Sequence, residues 1–329
     1  MSALAPTLEA FFTERLITQR RASSHTIAAY RDAICLLLGF VERRTGKAPA
    51  TLQFEDLDAA TIGRFLDHLE RERGNSVRTR NARLSAIHSL FRYAALRHPE
   101  HAELMRRVLA IPPKRSLRTI VTFLTDEEVE AILAAPDRRT FLGRRDHALL
   151  LLAIQTGLRV SELTRLVCED IALRAGAHVR CVGKGRKQRA TPLTTTTAAV
   201  LQAWIKERGG QPTDPLFPTR HGAALSRWGV SLLVSRHAHT AARRCPSLAT
   251  KKVSPHVLRH TAAMRLLHAG VDTSVIALWL GHESVETTQI YVHADLTLKE
   301  RALARTSPAG SVPRRYRPRD ELLAFLEAL

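Results

Sequence analysis

Two short motifs in the second half of the chain carry side chains that could bind and react with a phosphate. In the first, Ser254 and Pro255 are residue types that favour the N-cap and first position of a helix, so His256 and Arg259 are expected on one face of its first turns. A helix N-terminus presents free N–H groups and the positive end of the helix dipole, so it favours an anion. An imidazole and a guanidinium placed there predict a phosphate-binding site.

The second motif places another arginine in a similar position. Arg159 follows Gly157, which is expected to end an apolar helix, and it lies at the start of the next predicted helix. Lys184 lies in a Gly-Lys-Gly turn, and His282 follows a glycine that ends a short helix. Tyr291 falls on the second turn of a further helix, for which a serine seven positions earlier is the expected N-cap.

These side chains suit an attack on a phosphodiester. Cations around a tyrosine favour its phenolate and stabilise a negatively charged transition state, so Tyr291 could attack phosphorus. Arg159 and Arg259 would each bind a non-bridging oxygen, and Lys184 would protonate a departing 5′-hydroxyl. We find no catalytic carboxylate pair, no metal-ligand spacing and no glycine-rich nucleotide loop in the sequence, and therefore expect neither a metal nor another cofactor.

The charge of the chain predicts a polyanionic partner. Its 329 residues carry a formal net charge of +19, and arginine far outnumbers lysine. A guanidinium can contact phosphate and guanine in a two-point manner that an ammonium cannot. A basic ribosomal protein would share this charge, but together with the tyrosine and the two arginines it favours double-stranded DNA as the partner.

The elements that must position these residues fall into two groups. Residues 1 to about 110 show helical spacing of apolar side chains and no strand signal, which predicts a small helical domain. Its four predicted helices run around Leu8 to Leu16, from a cap at Ser24, from about Asp58 to Arg73, and from Ser76 to Leu96. The last of these carries Arg78, Arg80 and Arg83 near its start, and we expect these arginines to contact DNA.

Two consecutive prolines at 112 and 113 predict a linker over residues 111–122. Beyond it, alternating side chains between residues 167 and 192 predict a small antiparallel sheet. The remaining segments predict six helices. They run from a capping box at Thr125 to Ala135, from Asp146 to Thr156, from Thr195 to Arg208, from Ser226 to Cys245, from Pro255 to Gly270, and from a cap at Asp272 or Thr273 to Leu280. The fold class is therefore mainly α with one small antiparallel β-sheet. Arg186 and Arg227 are predicted as further DNA contacts.

The cysteines and the N-terminus predict a cytoplasmic, nucleoid-associated protein. Cys35, Cys168, Cys181 and Cys245 are scattered and form no CxxC pair, as expected of reduced thiols. Residues 1–9 contain neither a basic nor an apolar signal region, and the apolar run from Ala148 to Ile154 is too short to cross a bilayer, so no membrane association is expected.

Five motifs in order give the sequence a clear resemblance to the tyrosine recombinases of the phage-integrase and Xer type. They are Thr156-Gly-Leu-Arg-Val-Ser-Glu-Leu163, Gly183-Lys-Gly-Arg-Lys-Gln-Arg189, His256-Val-Leu-Arg-His-Thr261, Leu280-Gly-His282 and Thr288-Gln-Ile-Tyr-Val-His293. The resemblance covers nearly the whole chain and shows no departure at a catalytic position. It implies a SAM-like helical core-binding domain over 1–110, a linker over 111–122, an α+β catalytic domain over 123–300, and a C-terminal tail over 301–329 that such proteins can exchange between subunits. No arm-binding domain precedes the helical domain, which favours simple Xer-like sites.

The resemblance also implies a role for each motif residue. Tyr291 would form a 3′-phosphotyrosine and free a 5′-hydroxyl, while Arg159 and Arg259 clamp the scissile phosphate and Lys184 acts as general acid. His256 would assist proton transfer, His282 would position the phosphate or the tyrosine, and Glu162 would support the site. Such enzymes act as a tetramer on two sites, exchange strands through a Holliday junction, and in some cases work with partner recombinases. Integration, excision and resolution all remain open.

Simpler interpretations exist for the single residues and for the whole chain. Taken alone, Tyr291 would be a core tyrosine, Lys184 a turn lysine with Lys187 as a competitor, and His282 the residue after a helix-ending glycine. His260 competes with His256 as the histidine of its motif, and either arginine could pair structurally with Glu162 or Asp170. At the level of function, the alternatives are a type IB topoisomerase-like enzyme, and a DNA-binding architectural or regulatory protein that retains the fold.

Overall fold

The computed structural model describes residues 4–115, 121–183 and 188–282, together with Thr288 and Tyr291. The chain divides between Arg118 and Thr119 into two compact units. The predictions for Lys184, Arg186, the N-cap before Tyr291 and the tail over 301–329 lie outside the described residues.

The described residues of the first unit form helices joined by turns and loops, without a strand, as the apolar spacing predicts. Its helices are α1 (Leu4–Ala10), which continues into a π-helix (Phe11–Gln19), α2 (Ser24–Thr45), α3 (Ala59–Arg71), α4 (Val77–Ala95) and α5 (Ala102–Leu109), with 3₁₀ turns at Pro49–Thr51, Phe54–Leu57 and Pro99–His101. Phe11, Phe65 and Phe91 are fully buried in its core. Helix α5, which the apolar spacing did not predict, is a two-turn helix that buries Met105 and Val108.

Side-chain caps set where these helices begin. Asp58 and Ser76 accept hydrogen bonds from backbone N–H groups three residues on, as N-caps do. The expectation that Ser24 caps α2 is wrong by one residue, because Ser23 has the extended backbone of a cap and accepts the N–H of Thr26.

The second unit contains seven helices and one sheet among its described residues. Its elements are α6 (Asp126–Ala134), α7 (Phe141–Thr156), α8 (Val160–Leu163), β1 (Ile171–Ala172), β2 (His178–Val182), β3 (Gln188–Pro192), α9 (Thr195–Arg208), α10 (Arg227–Ala242), α11 (Pro255–His268) and α12 (Thr273–Leu280), with 3₁₀ turns at Cys168–Asp170 and Pro246–Thr250. The capping box at Thr125 and Glu128 is present. Helix α7 begins five residues before the predicted start, because Thr140 is its N-cap and accepts the backbone N–H of Gly143.

The sheet is antiparallel with the order β1-β2-β3. Its β2–β3 register pairs Cys181 with Arg189 and Val179 with Thr191, so these four side chains share one face. That face turns inward, because Val179, Cys181 and Thr191 are buried while Arg180 and Ala190 are exposed. Arg189 therefore points into the second unit.

Two apolar clusters support the site in the second unit. The larger one joins α6, α7, α9, α10 and the start of α11, and the smaller one groups Met264, Leu267, Ile276 and Leu280 around Tyr291. All four cysteines are free thiols. In the parts of the chain that the structure describes, no helix is both long and apolar enough to cross a bilayer, and no group of three potential metal ligands comes together.

Candidate active site

Arg159 is held at the start of α8 by the turn that precedes it. Gly157 ends α7 with a positive φ of 64°, a conformation that glycine adopts without strain, and Arg159 then has the extended backbone of an N-cap. The Glu162 carboxylate accepts the backbone N–H of Arg159 at 2.7 Å and its Nη1 at 3.0 Å. Backbone and side chain of Arg159 are thus oriented by one carboxylate.

Arg259 lies one turn into α11 and is almost fully buried. Its Nη1 donates to the carbonyl of Gly157 at 2.6 Å, and its Nη2 donates to the carbonyl of Leu280 at 2.7 Å. Burial, together with the neighbouring charge of Arg159, lowers the pKa of Arg259 to about 10. The guanidinium therefore stays cationic at neutral pH but is held in a place where an added anion would be strongly favoured.

Both arginines are anchored on the turn that ends α12. Arg159 Nη2 donates to the carbonyl of Gly281 at 2.8 Å, next to the Leu280 carbonyl that accepts from Arg259. Carbonyl groups at a helix C-terminus have no partner within the helix, so guanidinium donors satisfy them well. A guanidinium has five N–H donors, and these contacts leave some on each arginine to bind the oxygens of a phosphate.

Glu162 joins the arginine pair to the sheet. It is 4% exposed, and Arg189 on β3 contacts it at two points, Nη1 to Oε1 at 2.9 Å and Nη2 to Oε2 at 2.8 Å. Burial alone would raise the pKa of Glu162, but the hydrogen bonds from Arg189 and Arg159 outweigh burial and hold that pKa below its usual value. Glu162 is therefore an ionised carboxylate shared by two guanidinium groups.

His282 follows the same turn. Its backbone N–H donates to the carbonyl of Ala277, and its Nδ1 lies 2.8 Å from Thr288 Oγ1. Burial, followed by the charges of Arg259 and Arg159, lowers the pKa of His282 to about 4. The imidazole is neutral at physiological pH and can donate or accept a hydrogen bond without adding charge.

Tyr291 lies against His282 and His260. The rings of Tyr291 and His282 are stacked with centroids 6.3 Å apart, and Tyr291 Oη lies 3.0 Å from His260 Nδ1. Tyr291 is 1% exposed, and its burial raises the pKa of the phenol, whereas Arg259 and Arg159 lower it. The hydroxyl is thus a neutral phenol whose pKa is already influenced by the charges of both arginines.

The structure brings five of the predicted site residues together, namely Arg159, Glu162, Arg259, His282 and Tyr291. His256 is exposed on the first turn of α11, with its ring 6.1 Å from that of His260. The proposed structural pairing of an arginine with Glu162 is present, while Asp170 instead accepts the N–H of Val167.

Two further residues belong to this cluster without a predicted site role, Arg189 and His260. The position of Arg189 could have been predicted from the sequence, because side chains two residues apart on a strand share a face and Thr191 is buried. An arginine on an inward face needs a carboxylate partner. Apart from its place in the motif, no sequence feature of His260 indicated a site role, since only the folded chain brings Tyr291 into contact with it.

The arginines predicted to contact DNA outside the site have different surroundings. Arg78 and Arg227 are exposed at the first turns of α4 and α10, and Arg83 is half-buried with Nη1 donating to the Ala29 carbonyl. Arg80 is 6% exposed, and its Nε lies 3.7 Å from Glu70 Oε2, so its side chain faces a carboxylate of the first unit. Its contact with DNA stays a prediction.

Comparisons with protein families agree with this geometry. The phage integrase family matches residues 122–297, and the N-terminal SAM-like domain of phage integrases matches residues 10–98. A putative integrase/recombinase, y4rC, of Sinorhizobium fredii is 57% identical over 328 residues, covering 100% of this chain and 99% of the relative. Tyrosine recombinase XerC of Pelobacter propionicus is 34% identical over 310 residues, covering 92% of this chain and 95% of XerC.

A solved structure gives the same result. The site-specific recombinase XerH bound to a palindromic difH substrate superposes with a TM-score of 0.70 and 25% identity, covering 87% of this chain and 81% of XerH. The chain therefore belongs to the phage integrase family of tyrosine recombinases. It is an enzyme of site-specific recombination that cleaves and rejoins DNA strands.

Proposed function

We propose that the chain binds double-stranded DNA and cleaves one strand by attack of Tyr291 Oη on a phosphodiester, which yields a 3′-phosphotyrosine and a free 5′-hydroxyl. The observation that carries this proposal is that two arginines are anchored on a single turn beside Tyr291. Burial raises the pKa of the Tyr291 phenol, and the charges of these two arginines lower it. Preorganised cations of this kind stabilise the charge that develops on phosphorus, because they need no rearrangement as the reaction proceeds.

Each residue of the site has a proposed part. Arg159 and Arg259 bind the non-bridging oxygens, and Glu162 keeps Arg159 in place for that task. His282 positions the phosphate or the tyrosine with its neutral ring. His256 assists proton transfer from the exposed turn of α11, and Lys184 protonates the leaving 5′-oxygen.

Recombination follows when the freed hydroxyl of a partner duplex attacks the phosphotyrosine. Each exchange breaks one phosphate ester and forms another, so no external energy source is needed. We propose two successive exchanges through a Holliday junction, carried out by a tetramer on two sites, with partner recombinases as an option. The Leu322 to Leu329 segment, rich in apolar residues, is the proposed contact between subunits.

The proposed domain limits remain 1–110 for DNA core binding, 111–122 for the linker, 123–300 for catalysis and 301–329 for the tail. The proposed DNA contacts outside the site are Arg78, Arg80, Arg83, Arg186 and Arg227, and the net charge of +19 supports broad contact with the phosphate backbone. Such binding must weaken steeply with salt, because each neutralised phosphate releases counterions.

A nicked suicide substrate tests the function directly. The substrate is a duplex that carries a sequence the protein specifically protects from nuclease digestion, with a nick placed so that the short cleaved strand diffuses away. The wild-type protein should become covalently attached to the 3′ end of the remaining strand. Absence of any covalent adduct on DNA that the protein specifically protects from nuclease digestion would contradict the proposal.

A further inference from the structure

The contact between His260 and Tyr291 points to a role beyond the motif residues. His260 follows Arg259 on α11, and its Nδ1 lies 3.0 Å from Tyr291 Oη, within hydrogen-bond distance. The two rings meet edge to face at 5.5 Å, which fixes the direction from which the imidazole approaches the hydroxyl. His260 is therefore in direct contact with the atom proposed to attack DNA.

Resting on the proposed cleavage of DNA by Tyr291, we propose that His260 Nδ1 accepts the phenolic proton as Tyr291 Oη attacks phosphorus. In this step the Oη–P bond forms, the P–O5′ bond breaks, the phenol proton passes to His260, and O5′ takes its proton from Lys184. Religation runs in reverse: the incoming 5′-hydroxyl attacks phosphorus and passes its proton to Lys184, the Oη–P bond breaks, and His260 returns the proton to the departing phenol oxygen.

The surroundings of His260 favour a neutral imidazole before DNA arrives. Burial, followed by the charges of His256 and Arg259, lowers the pKa of His260 to about 4. Among the described residues, Tyr291 also lies near His282, whose pKa is about 4 as well, and is influenced by the charge of Arg159. A phosphate anion bound by Arg159 and Arg259 offsets their charge, which raises the basicity of His260 only when substrate is in place.

His256 is not equivalent to His260. His256 is exposed on the first turn of α11, whereas His260 is half-buried and bonded to the nucleophile. The two histidines therefore divide the proton transfers, with His256 on the side open to solvent and His260 at the phenol.

Two variants of His260 separate proton transfer from mere positioning. His260→Ala removes the acceptor, and His260→Asn retains an amide oxygen near the place of Nδ1 but cannot take up a proton. If His260 is the proton acceptor, both variants should cleave the suicide substrate about 100-fold more slowly or worse, with DNA affinity unchanged. His239→Ala, an exposed histidine on α10, is the matched control and should cleave at the wild-type rate.

Other outcomes overturn the proposal. Wild-type cleavage by His260→Asn together with slow cleavage by His260→Ala would show that His260 only positions the phenol. Faster cleavage by His260→Ala would show that the contact retains a buried Tyr291 in a resting position. Imidazole in the buffer should restore part of the activity of His260→Ala, and lack of rescue in a variant that melts and binds DNA like the wild type counts against proton transfer. Failure of the wild-type protein itself to form an adduct would instead reject the cleavage function.

Discussion

Glu162 and Arg189 are 27 residues apart in the sequence and form a two-point ion pair in which both N–O distances are below 3 Å. The same carboxylate also binds the backbone and side chain of Arg159. Through Glu162, strand β3 is therefore coupled to one of the two arginines proposed to hold the phosphate. Lys184, the proposed general acid, precedes the start of β3 by four residues in the sequence. The strand that carries Arg189 therefore directly follows the segment that carries Lys184.

Replacing Glu162 by Gln should destabilise the second unit and slow cleavage. Removal of the buried carboxylate charge leaves the half-buried Arg189 and Arg159 without their counter-charge, and breaking a buried ion pair costs about 3 kcal/mol. Chemical denaturation of wild type and Glu162→Gln at neutral pH measures the difference.

The same comparison has a defined pH dependence. The pKa of Glu162 in the folded protein lies below its ordinary value of 4.5, so the stabilisation it provides is present above pH 4.5 and is lost as the pH falls through the folded-state pKa. The stability gap between wild type and Glu162→Gln should therefore shrink in acid. A gap that stays constant from pH 6 to pH 3 would contradict an ionised Glu162 in the folded protein.

Changes to the arginine pair should affect the chemical step more than binding. Arg159→Ala and Arg259→Ala should each slow adduct formation about 100-fold or more, because each removes a preorganised donor to the phosphate. Arg259→Lys should also be slow, since an ammonium cannot donate to the Gly157 and Leu280 carbonyls and to phosphate with the geometry of a fork. Single-turnover cleavage at saturating protein, with gel-shift affinities measured in parallel, tests all three variants, and cleavage at the wild-type rate by either alanine variant would refute the clamp.

The turn at Gly281 should tolerate no side chain. Gly281 has a φ of 65°, and a Cβ there would lie 2.8 Å from Arg189 Nη1, which Glu162 holds in place. Gly270 also has a positive φ, of 81°, but its Cβ would meet no atom within 4 Å. Gly281→Ala should therefore lower the melting temperature more than Gly270→Ala, and only Gly281→Ala should slow cleavage. If the two variants lowered the melting temperature equally, backbone strain alone would explain the loss of stability, and the contact with Arg189 would not contribute.

Tyr291→Phe should retain specific DNA binding and form no 3′-linked adduct on the suicide substrate. It also removes the hydrogen bond to His260, for a change in stability of about 1 kcal/mol. Denaturing gels of the trapped substrate, with the wild type alongside, provide the measurement. An adduct formed by this variant would place the nucleophile elsewhere, and unchanged biological activity would favour an architectural role.

The two half-buried histidines of the site, His260 and His282, should make the folded protein sensitive to mild acid. The pKa values of His260 and His282 are about 4 in the folded protein against 6.5 for an ordinary histidine, so the unfolded chain binds more protons between these values. Stability should fall as the pH drops from about 6.5 to 4. Melting curves of His260→Asn and His282→Gln should show a weaker pH dependence than wild type, whereas His239→Asn should keep the full slope. An unchanged slope in the first two variants would show that other groups cause the acid sensitivity.

Features that depend on neighbouring residues could be predicted from the sequence. The capping box at Thr125, the end of α7 at Gly157 and the bounds of α9 follow from hydrogen bonds and backbone preferences within a few residues. The motif spacing likewise identified the residue types of the site and the family. Helix α5 and the first five residues of α7 could not be predicted in this way, because tertiary packing decides whether a short or weakly patterned segment is helical.

Only the folded chain decided which of these residues meet. Arg259 reaches a carbonyl 102 residues away and Arg159 reaches one 122 residues away, both on turns whose carbonyls no sequence pattern identifies as acceptors. Arg80 turns to Glu70 instead of the surface, and Arg189 and His260 acquire partners that lie far along the chain. A sequence determines local backbone preferences because these act over one or two helical turns. The partners of a buried charge depend instead on how whole helices pack, since a charge removed from water takes the nearest complementary group that the fold provides.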